Sequence, residues 1–276
     1  MNGVFRHISL VDSVLTAIDR HVAAHPPERG GGLLGPLGLP LITAFLPDPD
    51  GISTATTFRT SSAFQRALTR IEETEPDLEL KGIVHSHAEG ADHPSVGDLA
   101  AFTDCLRLTP WLGRYVTPIV TQQNQRTRDH QVLLPNGLLS VFVSAPTPLG
   151  AVEVRPARVQ ILPVGRDCTR IATALGASVS TPRTGDVDGV IHVAVVMRTA
   201  GLELTLLFPL LYPTQAPIVL AERTDGFDSG ESTFLDRFGV DHRHHRILPL
   251  PLTWDLAIPA ESRLARALHV APDPVW

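Results

Sequence analysis

The 276-residue chain has little of what marks secreted, membrane-bound or nucleic-acid-binding proteins. It has two cysteines, Cys105 and Cys168, which are too few for a disulfide framework. The N-terminus lacks the basic start and unbroken apolar core of a signal peptide, and no stretch reaches the roughly 18 apolar residues that a membrane span needs. With a formal net charge of -6, the chain also lacks the basic excess used to wrap nucleic acid. These shortages predict a soluble cytoplasmic protein without nucleic-acid or membrane partners.

The residues that are present are typical of a folded globular protein. Hydrophobic residues make up 43% and charged residues 19% of the chain, which excludes the polar, charge-dominated composition of disordered proteins. The length exceeds the usual size of one compact domain, so two domains are expected. The segment 144–156 is punctuated by proline and has no clear period, as is typical of a linker. We therefore expect the domain boundary there.

Hydrophobic periodicity predicts a mixture of helices and strands on both sides of this segment. Apolar residues recur every four positions from Leu10 to Val22, which is the spacing of one face of a helix. In the first half we expect helices at 9–24, from Ser61 or Ser62 to about Pro76 and from Ser95 to about Leu108, and strands at 39–46, 52–58, 80–88, 114–121 and 130–143. In the second half we expect helices at 166–177 and 261–270, and strands at 190–197, 201–208 and 217–222.

Two histidines on one predicted strand indicate a metal site. His85 and His87 are two residues apart within 80–88, so both imidazoles project from the same face of the strand. Asp98, in the first turn of the next predicted helix, could supply an oxygen as a third ligand. Three protein ligands leave the fourth position of a tetrahedral zinc ion open for water, which is the arrangement of catalytic rather than structural zinc.

Two further residues have the chemistry that a zinc hydrolase requires. Glu28, beside a run of glycines, could take a proton from a zinc-bound water and pass it to the leaving amine. Ser95, three residues before Asp98, could donate a hydrogen bond to the oxyanion that forms when a carbonyl is attacked. With the three ligands, these residues predict a hydrolytic site.

Each of these residues also has a purely structural interpretation. Two histidines on a strand face could be partly exposed surface residues. Ser95 and Asp98 match the S-x-x-D pattern of a helix N-cap, and Glu28 alone would be an ordinary solvated carboxylate. A cap and a catalytic role can coexist, because the cap fixes where the first helical turn points.

The combined pattern resembles the JAMM (JAB/MPN) metallopeptidase family. That family has the signature H-x-H, seven residues, S, two residues, D, preceded by a glutamate ahead of a glycine-containing strand. The matching positions here are Glu28, His85, His87, Ser95 and Asp98. The resemblance implies an α/β fold, with a JAMM/cytidine-deaminase-like α-β-α domain over 1–148. It also implies a zinc-dependent isopeptidase that removes ubiquitin or ubiquitin-like tails, with Zn2+ on the two histidines and the aspartate.

The second half contains the segment FPLLYPTQAPIVL at 208–220, which resembles part of the ubiquitin-conjugating enzyme fold. The resemblance implies an α+β domain over 156–276. A working conjugating enzyme carries the ubiquitin-like tail as a thioester on a thiol downstream of this segment. Cys168, the last cysteine, lies before it, and the family's His-Pro-Asn element is missing. This domain is therefore expected to be a non-catalytic relative that binds or positions a partner.

The sequence leaves two main functions open. The first is a JAMM-type isopeptidase that hydrolyses the bond after the tail of a ubiquitin-like protein in a prokaryotic modification pathway, with activating or conjugating enzymes of that pathway as further partners. The second is a non-catalytic module or scaffold that recognises such a tail without turnover. Retention of the whole ligand set beside Glu28 favours the enzyme. A third function, an active conjugating enzyme, has little support because no thiol follows the proline-rich segment.

Overall fold

The computed structural model describes residues 7–25, 29–54, 57–147, 149–187, 189–223, 248–249 and 256–270. The chain divides into two compact units, Met1–Ile161 (unit 1) and Leu162–Trp276 (unit 2). No helix within the described ranges is both long and apolar enough to cross a membrane.

In its described residues, unit 1 is a mixed α/β domain with a nine-stranded, a three-stranded and a two-stranded sheet. Its strands are β1 (His7–Val11), β2 (Gly30–Pro36), β3 (Leu41–Ile42), β4 (Ala44–Asp48), β5 (Ile52–Thr54), β6 (Thr57–Arg59), β7 (Leu78–Ser86), β8 (Tyr115–Val116), β9 (Ile119–Thr121), β10 (Gln131–Leu134), β11 (Gly137–Ser140), β12 (Phe142–Pro146), β13 (Val152–Pro156) and β14 (Arg158–Leu162). Its helices are α1 (Asp12–Ile18), α2 (Ser62–Thr74) and α3 (Val96–Leu108), with a π-helical turn at Asp19–Ala23 and a 3-10 turn at Pro110–Leu112. The predicted α/β class is confirmed.

Strand β7 lies in the interior of the larger sheet. On one edge it pairs with antiparallel β2, where Gly30 is opposite His85, and β4 extends the sheet beyond β2. On the other edge β8 and β9 run parallel to β7, followed by β12 and β11. Side chains near the end of β7 are therefore buried, as Val84 is at 0% exposure.

Close packing explains the glycines of β2. A Cβ at Gly31 would lie 2.4 Å from the carbonyl oxygen of Leu46, and one at Gly35 would lie 1.9 Å from that of Leu41. Side chains at these positions would separate β2 from its neighbours. The glycine run therefore keeps β2 in close contact with the structure around it.

Helix α2 begins at a predicted serine cap. The Ser61 hydroxyl accepts a hydrogen bond from the Phe64 N–H at 3.0 Å, and the Asp48 carboxylate accepts one from the Ser61 N–H at 2.7 Å. Phe64 and Leu68 bury the apolar face of the helix in a cluster with Leu34 of β2. The predicted periodicity is confirmed here, because the spaced apolar residues are the ones that face the sheet.

The predicted start of the first helix, at residue 9, is wrong. Residues up to Val11 form β1, which pairs in parallel with β3, and the α-helix covers only Asp12–Ile18 before the π-helical turn. Leu10 is fully buried in β1. An apolar residue at position 10 can be buried in a strand as well as in a helix. Periodicity alone therefore did not distinguish the two kinds of element here.

The predicted linker at 144–156 is also wrong. These residues form most of an antiparallel hairpin in which β12 pairs with β13. Pro146 and Pro156 each occupy the last position of a strand. Proline is tolerated at such ends, where its missing N–H interrupts little of the ladder.

In its described residues, unit 2 combines an antiparallel sheet with two helices. Its elements are α4 (Val164–Leu175), β15 (Ser178–Val179), β16 (Arg183–Val187), β17 (Val190–Thr199), β18 (Leu202–Pro209), β19 (Ile218–Arg223), β20 (Leu248–Pro249) and α5 (Ala260–Val270). Strands β17, β18 and β19 form a meander, and α4 contacts β17 and α5. Tyr212, in the predicted proline turn, donates a hydrogen bond to the Asp167 carboxylate at 2.5 Å. The unit mixes helices with an antiparallel sheet, and its likeness to conjugating enzymes stays a prediction.

Candidate metal centre

The end of β7 and the start of α3 bring three ligating side chains together. His85 lies in β7, His87 directly follows it, and Asp98 lies in the first turn of α3. One ligand atom from each residue lies within 4.8 Å of the others. The three residues are buried, at 4%, 9% and 8% exposure. The surface interpretation of the two histidines is therefore wrong, and the three side chains could hold a metal ion.

The distances between the ligand atoms fit a small cation. His85 Nε2 lies 2.8 Å from His87 Nε2. One carboxylate oxygen of Asp98 lies 3.1 Å from His85 Nε2, and the other lies 3.2 Å from His87 Nε2. Zinc–ligand bonds of about 2.0–2.1 Å place two ligand atoms of a tetrahedral ion roughly 3.3 Å apart. Two imidazoles and one carboxylate are also a donor set that zinc accepts.

Hydrogen bonding selects the ring nitrogen of His87 that faces the other ligands. His87 Nδ1 lies 2.9 Å from the carbonyl oxygen of Ala91. A carbonyl can only accept, so Nδ1 carries the hydrogen and the Nε2 lone pair is left for a cation. The ring of Phe58 stacks against His85, with centroids 6.2 Å apart and planes at 10°. Both imidazoles are thus held by neighbours outside the ligand set.

Ser95 is the N-cap of α3 and orients Asp98. The Ser95 N–H donates to the Asp98 carboxylate at 2.7 Å, and the Asp98 N–H donates to the Ser95 hydroxyl oxygen at 3.1 Å. This reciprocal pair is a capping box, so the structural interpretation of S-x-x-D is confirmed. The hydroxyl oxygen acts here as an acceptor, which leaves its own hydrogen for a second partner. The cap does not exclude the oxyanion role, which stays a prediction.

The surroundings of Asp98 keep it ionised. Burial by itself would raise the pKa of Asp98, but hydrogen bonds with His85, His87 and Ser95 outweigh burial and hold that pKa well below its usual range. Asp98 is therefore a carboxylate near neutral pH, which is the form that binds a cation.

Glu28, the predicted base, lies outside the described residues. The next residue along the chain is described: the Arg29 N–H donates to the Ser86 hydroxyl at 3.0 Å, and the Arg29 carbonyl accepts from the Ser86 N–H at 2.9 Å. Ser86 stands between the two histidines in the sequence. The backbone at Arg29 is therefore anchored beside the ligand-bearing strand, and the role of Glu28 stays a prediction.

A cleft of about 500 Å³ opens beside the start of α3. Pro94 and Leu99 flank the capped turn in the sequence and line this cleft, and Phe142 and Arg128 also contribute to its lining. No motif marks the cleft in the sequence, because its lining comes from a loop, a helix and distant strands. It is a concave surface near the capped turn.

Comparison with known proteins relates part of this chain to a described family and to solved structures. Residues 11–130 match the family described as prokaryotic homologs of the JAB domain. The chain is similar to the solution structure of a protein from Desulfitobacterium hafniense, with 16% identity and a TM-score of 0.40 over 56% of this chain and 93% of that one. It is also similar to a JAB1/MPN domain protein from Archaeoglobus fulgidus, with 16% identity and a TM-score of 0.31 over 56% of this chain and 98% of that one. No curated protein matches the chain.

Proposed function

We propose that this chain, whose residues 11–130 contain a JAB/MPN-like domain, is a zinc-dependent isopeptidase. Its substrate would be a protein carrying a ubiquitin or ubiquitin-like tail, cleaved at the bond that follows the tail. The pathway would be a prokaryotic ubiquitin-like modification system, whose activating or conjugating enzymes would be further partners. The observation that carries the proposal is the convergence of three buried ligand atoms, from His85, His87 and Asp98, within 4.8 Å.

Each site residue has a chemical role in this proposal. His85, His87 and Asp98 would hold Zn2+, which when bound polarises a carbonyl and brings the pKa of water toward about 7. Glu28 would take the proton of the attacking water and deliver it to the leaving amine. The Ser95 hydroxyl would donate its hydrogen to the substrate oxygen as negative charge develops there.

Unit 2 would bind or position a partner without catalysis. Its one cysteine, Cys168, lies in α4 and is 2% exposed. Such burial shields the thiol from an incoming thioester. The proposal is that unit 2 is a non-catalytic relative of ubiquitin-conjugating enzymes, and charging with an activating enzyme should yield no thioester on Cys168.

One observation favours the alternative of a non-catalytic binding module. In the ligand cluster His85 Nε2 and His87 Nε2 each lie close to one Asp98 carboxylate oxygen, at 3.1 and 3.2 Å. These contacts give the buried groups polar partners in the absence of an ion. A module that recognises a ubiquitin-like tail could therefore keep the cluster as a purely structural network.

Substitution of Glu28 separates the two functions. Glu28→Gln should retain zinc and slow cleavage about 10²–10⁴-fold, the usual contribution of a general base. The substrates are a ubiquitin-like protein fused linearly to a reporter and the same protein linked to a lysine amine. Glu72→Gln, on the exposed face of α2, is the matched control and should cleave like the wild type.

Two results would count against the proposal in different ways. Cleavage by Glu28→Gln at the wild-type rate would remove Glu28 from the mechanism. A zinc-loaded wild-type protein that binds the ubiquitin-like protein but cleaves neither linkage would support the binding module instead.

A further inference from the structure

The loop between His87 and the cap of α3 contributes one contact to the metal centre. The Ala91 carbonyl accepts a hydrogen bond from His87 Nδ1 at 2.9 Å, which leaves Nε2 facing the other ligands. Residues 88–91 of this loop are all exposed to solvent. An exposed segment has few packing contacts that could fix its position. The Ala91 carbonyl therefore depends on contacts elsewhere in the loop to stay on the imidazole.

Asp92, the next residue, connects this loop to the sheet. One of its carboxylate oxygens accepts a hydrogen bond from Gln131 Nε2 at 3.2 Å. Gln131 lies in β10 and is 1% exposed. His93 and Arg128 also contact the Asp92 carboxylate, but His93 belongs to the same loop, and the half-exposed Arg128 lies 3.9 Å away and adds little. The buried amide of Gln131 is therefore the fixed point that holds the loop.

The other partners of Gln131 fix the orientation of its amide. Its Oε1 accepts the backbone N–H groups of Thr127 and Arg128, both at 3.0 Å. A backbone N–H can only donate, so the atom facing these groups is the amide oxygen and the amide nitrogen faces Asp92. The same nitrogen donates to the Ser140 hydroxyl oxygen in β11 at 3.3 Å. Rotation of the amide would leave buried polar groups unpaired, so the donor stays directed at the loop.

Gln131 belongs to the same sheet as the histidine ligands. Strand β10 pairs with β11, β11 pairs with β9, and β9 pairs with β7. The His87 N–H donates to the Val120 carbonyl of β9 at 2.8 Å. One sheet therefore holds the backbone of His87 directly and, through Gln131 and Asp92, the carbonyl that contacts its ring.

We propose that Gln131 is a positioning residue for the metal centre. By holding Asp92 it keeps the Ala91 carbonyl on His87 Nδ1, and it thereby keeps the Nε2 lone pair available to a cation. Gln131 acts through the loop and is not itself a ligand. This inference rests on the metal-binding part of the proposed function and does not depend on whether the centre cleaves a bond.

An exchange of the amide and the carboxylate tests the contact directly. Gln131→Glu keeps an oxygen toward Thr127 and Arg128 but places a second carboxylate against Asp92, and like charges repel. Its zinc affinity, measured by competition with a chelating indicator, should fall at least about tenfold, as is usual when a partner that orients a ligand is lost. The double variant Gln131→Glu/Asp92→Asn restores an amide–carboxylate pair with the roles reversed and should recover the wild-type affinity.

The tautomer of His87 gives a readout that a general loss of stability would not change. In the metal-free protein, 15N NMR of the histidine side chains, assigned with His87→Gln, should show the hydrogen on His87 Nδ1 in the wild type and in the double variant. Gln131→Glu should show a mixture of the two tautomers. Gln122→Glu removes an amide hydrogen bond to the Ala23 carbonyl, away from the loop, and as the matched control should match the wild type in tautomer and zinc affinity.

Two results would overturn the proposal. One is a folded Gln131→Glu protein with the wild-type His87 tautomer or the wild-type zinc affinity. The other is a folded double variant that binds zinc as weakly as Gln131→Glu. If Gln131→Glu does not fold, Asp92→Ala decides, because it removes the acceptor on the loop and leaves β10 unchanged. It should also weaken zinc binding at least about tenfold, and an unchanged affinity would refute the role of Gln131.

Failure of this inference differs from failure of the proposed function. A wild-type protein that binds no zinc would reject the proposed function, and the tautomer in the metal-free variants would still decide the role of Gln131. A wild type that binds zinc, with Gln131 and Asp92 variants that bind it equally well, would reject only the positioning role.

Discussion

Substitution of Ser95 separates its structural role from its proposed chemical role. In the structure the Ser95 hydroxyl oxygen accepts the Asp98 N–H at 3.1 Å, while the Ser95 N–H donates to the carboxylate at 2.7 Å. Ser95→Ala removes the first bond and keeps the second. Loss of an N-cap side chain costs about 1 kcal/mol. For a domain of the size of unit 1, this lowers the Tm by about 2–4 °C, which calorimetry on the full chain can measure.

Catalysis distinguishes a cap from an oxyanion donor. Ser95→Asp retains a capping acceptor but has no hydroxyl hydrogen, so it should keep most of the stability and lose about 10²–10³-fold in kcat. Ser95→Thr keeps both functions and should retain both properties. Ser61→Ala is the control, because the Ser61 hydroxyl also accepts a backbone N–H at the start of a helix, α2. It should lower the Tm and leave kcat unchanged.

Two outcomes would refute this reasoning about Ser95. A Ser95→Ala protein with the wild-type Tm would show that the capping box contributes no stability. A Ser95→Asp protein with the wild-type kcat would show that the hydroxyl hydrogen plays no part in the reaction, and that Ser95 acts only by positioning Asp98.

Two further predictions concern packing. A Cβ at Gly30 would lie 2.7 Å from the ring of Phe58, which stacks on His85. Gly30→Ala should therefore lower the free energy of unfolding by about 1–3 kcal/mol in a denaturation experiment and weaken zinc binding. Wild-type stability and zinc affinity would contradict this. Tyr212→Phe removes the hydroxyl that donates to the buried Asp167 carboxylate at 2.5 Å, so unit 2 should lose about 1–3 kcal/mol. An unchanged unfolding transition of unit 2 would show that this hydrogen bond contributes nothing.

The parts of the site with local sequence signals could be predicted. The two-residue spacing of His85 and His87 placed both on one strand face, and the S-x-x-D pattern located the cap of α3 at Ser95. Both signals depend on neighbours within one element, where strand alternation and capping chemistry are strict. The contact of Asp98 with the histidines joins two elements, so no local pattern fixes it; the sequence offered Asp98 as a possible third ligand, and the resemblance favoured that role.

The remaining features depend on pairing between distant segments. Phe58, in β6, stacks against His85, in β7, and nothing near Phe58 in the sequence indicates this contact. A β-bulge at Lys81 arises from the register of β7 against β2 and leaves no local pattern. Residues 144–156 have the composition of a linker, yet β12 and β13 pair there as a hairpin, with Pro146 and Pro156 at strand ends. Composition and periodicity do not carry such information.

Zinc loading is the most direct test that His85, His87 and Asp98 share one cation. Purified protein would be stripped with a chelator, reloaded with zinc, desalted and measured by elemental analysis. The wild type and a His93→Gln control, altered at an exposed loop histidine, should each hold about one zinc per chain, and folded His85→Gln should hold much less. A folded wild-type protein with less than about half an ion per chain, or a His85→Gln variant loaded like the wild type, would contradict the account.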